Sequence, residues 1–140
     1  MTDTSARMLE DVKTNVRLKL SALWAAMMFL YVYADVLWLY KPGQLDEISQ
    51  GRMGPFQVSQ GSLLAASIVV SVPALMVFLS LTLKPSANRW TNIALGALFT
   101  LVNVTNLIGE TWVFYLLFGA LEIVLTLLIV RYAWTWPQPE

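Results

Sequence analysis

Leu18–Tyr40, LKLSALWAAMMFLYVYADVLWLY, is an apolar run of about 23 residues with one basic residue near its start, Lys19, and one acid, Asp35, near its far end. At about 1.5 Å of rise per residue, a helix of that length crosses a hydrocarbon core about 30 Å thick. The run reads as a transmembrane helix. Steps alternating four and three place Arg17, Ser21, Trp24, Met28, Tyr31, Asp35 and Trp38 on one face of it. A carboxyl group at membrane depth is costly unless it faces a protein interior or a water-filled cavity, so this acidic, aromatic stripe is expected to point inward.

The composition agrees. Of 140 residues, 57% are hydrophobic and 13% charged, with mean hydropathy +0.61. These values describe a single integral membrane domain covering residues 1–140. Nine basic residues balance nine acidic ones, and no basic cluster is dense enough to follow a phosphate backbone, so nucleic acid is excluded as a partner. The absence of Cys and His removes disulfides, thiolate nucleophiles, imidazole catalysis and the usual soft-metal sites, and no cofactor, metal or catalytic residue is expected. The N-terminal apolar run is too long for a cleaved signal, and Lys41-Pro42-Gly43 stands where a small-residue cleavage site would be.

Outward from the first run, the periodic apolar residues Met8, Leu9, Val12 and Val16 predict a short surface helix ahead of it. Residues 41–59 form an interfacial loop, with helical potential in Leu45–Gln50 between glycines. Further spans are predicted at about 60–83, 90–109 and 112–134, with Lys84–Arg89 as a polar turn. Pro73 should bend the second span. Ser67 and Ser71, one turn apart, suggest a small-residue packing face there. In the third span Asn92, Gly96, Phe99, Asn103, Asn106 and Glu110 share a face, and in the fourth Tyr115, Phe118, Glu122, Thr126 and Ile129 do.

The expected architecture is all-α: an up-down-up-down four-helix bundle in the lipid bilayer. Four spans return both termini to one side, which carries seven of the nine basic residues, so the termini are expected in the cytoplasm and the chain in the inner membrane if bacterial. Counting along the spans places Asp35, Ser67, Asn103, Asn106 and Glu122 in the outer half of the membrane. No basic residue lies at that depth, so at least one of the two acids is expected to be protonated. The leading expectation is an outward-facing pocket for protons or a small lipophilic or cationic ligand, built from Asp35, Glu122, Asn103, Asn106 and Ser67 with cation-π faces on Trp24, Tyr31, Trp38 and Tyr115. Alternatively, protonated Asp35 and Glu122 bond to the Asn pair or a Tyr hydroxyl and lock the helices. Two further functions stay open. One is an accessory subunit docking a larger membrane complex, or a second copy of itself, through Ala22/Ala26 and Ser67/Ser71. The other is an isomerase-type enzyme acting on a lipid through Asp35 or Glu122, which is disfavoured because neither a metal set nor an activated nucleophile is visible.

The segments LSALWAAMMFLYVYADVLWLYKPG (20–43), SLTLKPSANRWTNIALG (80–96) and LEIVLTLLIVRYAWTWP (121–137) resemble a family of small four-helix bacterial membrane proteins classed as a domain of unknown function. That resemblance implies the fold and carries no activity. In helix number and buried acids the chain is also loosely similar to the sterol-isomerase and sigma-2-receptor-like superfamily, which implies acids that hold cationic or carbocation-like ligands.

Overall fold

The computed structural model describes residues 9–138. Within them the elements run α1 (Val16–Trp38), α2 (Gln44–Ser49), β1 (Arg52–Met53), β2 (Phe56–Gln57), α3 (Gln60–Thr82), α4 (Pro85–Asn106) and α5 (Val113–Trp134). The protein is all-α apart from one hairpin. α1, α3 and α5 are long and apolar enough to cross a membrane. α4 is as long, at 22 residues, but its asparagines and threonines dilute its apolar character.

Local chemistry sets the boundaries. Asn15 caps α1 by accepting the Arg17 N–H at 2.8 Å, so the helix starts at Val16. Residues 9–15 are not helical, which corrects the expected surface helix there; Met8 lies outside the described residues. Ser59 and Ser62 form a reciprocal capping box at the start of α3. The supposed polar turn at Lys84–Arg89 is instead the first turn of α4, because Pro85 occupies the first helical position, where its missing N–H costs nothing. At the other end α4 stops at Asn106, and Glu110 Oε1 accepts the N–H groups of Thr111 and Trp112, both at 2.9 Å. Between α2 and α3, the pairing of Arg52 with Gln57 and Met53 with Phe56 makes a hairpin that the sequence reading took for plain loop. Its turn is Gly54-Pro55, with Gly54 at φ +57°, a left-handed position followed by the φ that proline prefers.

α1 packs against both α3 and α5, α5 also packs against α4, and the α3–α4 seam is the sparsest. Cross-helix bonds give the directions. Arg17 Nη1 donates to the Leu81 carbonyl and Ser21 Oγ to that of Val77, at 3.1 and 2.7 Å, so α1 and α3 are antiparallel. Arg89 at the start of α4 donates to the Ala133 and Trp134 carbonyls at the end of α5, so that pair is antiparallel too. Gly96 permits the α4–α5 approach: a Cβ there would meet Val130 Cγ2 at 2.9 Å and Ile129 Cγ2 at 3.1 Å.

The apolar core of Leu20, Trp24, Met27, Met76, Phe99, Ile129 and Ala133 encloses a polar relay. Trp24 Nε1 donates to Asn92 Oδ1 at 2.7 Å. Asn92 Nδ2 donates to Asn88 Oδ1 at 2.7 Å, and Asn88 Nδ2 donates to the Ser80 carbonyl, also at 2.7 Å. The relay joins α1, α4 and α3. Truncating its middle strands a buried indole N–H, so Asn92→Ala is expected to cost about 1–3 kcal/mol, measurable as a lower unfolding midpoint in nanodiscs.

Candidate functional site

α5 places Glu122 on its buried face, one turn from Gly119 and Thr126. Thr126 Oγ1 donates to the Glu122 carbonyl at 3.1 Å, and Thr100 Oγ1 donates to Thr126 Oγ1 at 2.8 Å, which stitches α4 to α5 behind the acid. The Glu122 side chain is turned the other way. It lines a cavity of about 190 Å³ together with Met28, Tyr31, Asp35, Phe99, Asn106 and Tyr115, and with Val69 and Val70 of α3. Glu122 is only 6% exposed, yet among the described residues its carboxyl has no hydrogen-bond partner. Every fully buried side-chain nitrogen or oxygen among the described residues has one, so the unpartnered Glu122 oxygens are the part of the residue that stays accessible, at the cavity. No basic side chain lines the cavity. Asp35 shares the cavity from α1, on an exposed position.

The other residues singled out in the sequence divide into three groups. Tyr31, Tyr115 and Asn106 line the cavity with the two acids. Asn103 is fully buried behind it, accepting the Tyr31 hydroxyl proton at Oδ1 and pointing Nδ2 at Met27 Sδ, 3.9 Å away. It positions Tyr31. Trp24, Trp38 and Ser67 do not line the cavity. Trp24 is core, edge-on to Phe99 with centroids 5.9 Å apart. Trp38 packs edge-on to Tyr115 at 5.0 Å, and its face is already taken by a cation of the chain itself, Lys41 Nζ, 3.4 Å from the ring centroid. Ser67 is exposed on α3 and donates back to the Leu63 carbonyl at 2.7 Å. The shared stripe thus fails on α3, where Pro73, Met76 and Ser80 are the buried residues.

Sequence reasoning missed Lys41 and the Asn88 link of the relay. Lys41 follows Trp38 by three residues, the spacing at which a side chain reaches back over a ring at a helix end. The family model described as "Family of unknown function (DUF6326)" matches residues 8–140. The chain belongs to that family. No curated protein and no solved structure matches it.

Asn106 therefore stays with the acids while Asn103 parts from them. The expected interhelical lock is made by Tyr31 and Asn103, not by either carboxyl. Removing the hydroxyl in Tyr31→Phe is expected to destabilise the fold by about 1–3 kcal/mol, because the buried amide oxygen loses its donor. Glu122→Gln should leave the unfolding midpoint unchanged or raise it, since no partner within the chain is lost. Chemical or thermal unfolding of both variants in nanodiscs checks the contrast.

Proposed function

We propose that the chain is a four-helix membrane bundle, up-down-up-down, whose cavity holds the cationic end of a small lipophilic amine, with a proton as the smallest occupant. The observation that carries this is the Glu122 carboxyl: on a residue only 6% exposed, without a hydrogen-bond partner among the described residues, and open to a cavity shared with Asp35. An ammonium group would give both carboxylates the charge-assisted hydrogen bonds that the chain does not supply. Tyr31 and Tyr115 add ring faces and hydroxyls beside it. At about 190 Å³ the cavity is smaller than the roughly 300 Å³ at which drug-sized sites begin, so it suits a head group.

In this reading α4 also crosses the membrane. Its 22 residues reach about 33 Å at 1.5 Å each, and its polar residues Asn88, Asn92 and Asn103 are buried inside the protein, where they cost the lipid nothing. Four crossings bring both termini to one side, and the seven basic residues there assign it to the cytoplasm. The cavity then sits in the outer half of the membrane. In a bacterium the membrane is the inner one.

A second reading, an accessory subunit of a larger complex, draws on the exposed Ser67 and Ser71 of α3. Native purification that yields only the free chain would count against it.

A hydrophobic amine at a hundred times its dissociation constant should stabilise the folded protein by about 2.7 kcal/mol. The gain should vanish in Glu122→Gln and fall in Asp35→Asn. Equal stabilisation of the wild type and both variants would sink the proposal.

A further inference from the structure

α3 is not packed evenly along its length. Its buried residues are Pro73, Met76 and Ser80, and none of the residues from Gln60 to Val72 is buried. Its side-chain bonds to α1 and α4, through Leu81, Val77 and Ser80, all lie beyond Pro73 as well. The first half of α3 is therefore held less tightly than the second, with Val72 partly buried against the core, and α3 touches α4 far less than it touches α1. The cavity meets α3 in that loose half, at Val69 and Val70, which are 48% and 42% exposed. Its lining on the flanking helices is also open: Val32 of α1 is 53% exposed, and Asp35 and, on α4, Asn106 are exposed.

Along the helix axes the cavity is flanked by aromatic pairs. Beyond Asp35 and Tyr115 stands the Trp38–Tyr115 pair, with the Lys41 ammonium over Trp38 and, at 5.0 Å, over Trp112. Toward the termini stands the Trp24–Phe99 pair. Aromatic pairs thus flank both ends, and on α3 the lining residues are the valines Val69 and Val70.

We infer that the occupant reaches Glu122 sideways from the bilayer, through the seam beside the first half of α3, and that it is a single-chain amphiphile with an ammonium head whose alkyl tail stays in that seam. This rests on the proposed cation site and narrows its ligand to one already dissolved in the membrane. Charge selects the head, because two carboxyls face a cavity with no basic residue. The apolar seam admits the tail and rejects a second charge, because a methylene chain moves from lipid to valines without loss whereas a charge there is costly.

Dodecylamine binding to the full chain in phosphatidylcholine nanodiscs tests this with four variants. Val70→Trp fills the seam, Leu75→Trp places the same bulk on an exposed position of α3 away from the cavity lining, Lys41→Ala opens the far aromatic layer, and Glu122→Gln removes the acid. The expected result is binding weakened at least tenfold in Val70→Trp, lost in Glu122→Gln, and unchanged in Leu75→Trp and Lys41→Ala. Wild-type affinity in Val70→Trp, with binding still dependent on Glu122, would overturn the lateral route and leave the cation site standing. A change in Lys41→Ala with none in Val70→Trp would move the route to the aqueous face. Binding that ignores Glu122, or no binding at all, would remove the site and the route together.

Discussion

The structure depends on one constraint: a polar side chain inside a bundle of apolar helices has no water to turn to and must find its partner in the chain. That constraint explains the Trp24–Asn92–Asn88–Ser80 relay, which joins three helices, and the Tyr31–Asn103 pair and the Thr100–Thr126 stitch, each of which joins two. Together they align α1, α4 and α5, and hold the second half of α3. Glu122 is the exception. Its backbone is held by Thr126, while its carboxyl opens into the cavity beside Asp35.

Much of this was legible in the sequence. Apolar run length located α1, α3 and α5, and helical spacing found the buried faces of two helices: Asn92, Gly96, Phe99 and Asn103 on α4, and Glu122, Thr126 and Ile129 on α5. On α4 and α5 the polar residues mark the inward face. On α3 they do not. That helix is apolar all round, so Ser67 and Ser71 look like an inner stripe, yet a serine that bonds to the carbonyl one turn back sits comfortably against lipid. The side that packs is set by Pro73, Met76 and Ser80, whose one polar residue is a serine like the two on the exposed side.

The aromatic residues were harder to place. Trp24, Tyr31 and Trp38 share a face, but a ring's role depends on what covers it. Phe99 and Asn92 claim Trp24, Lys41 claims Trp38, and only Tyr31 is left to the cavity. None of these partners is near in sequence except Lys41. The same holds for the start of α4, where a proline that usually ends helices instead begins one.

The two halves of α3 connect fold to function. Beyond Pro73 the helix is part of the core; before it, the helix packs more loosely, with Val72 partly buried against the core. Pro73 offers no N–H to the carbonyl of Val69, a residue that lines the cavity, so the backbone is least constrained where the cavity meets the helix.

The central claim is that the Glu122 carboxyl is kept free for a cation. Solid-state NMR of the protein carrying 13C-labelled glutamate, in nanodiscs with 15N-labelled dodecylamine, measures this contact directly. The account predicts a 13C–15N dipolar coupling between the amine and one side-chain carboxyl, absent in Glu122→Gln. A bound amine that shows no coupling to that carboxyl, or a coupling that persists in the variant, would contradict it.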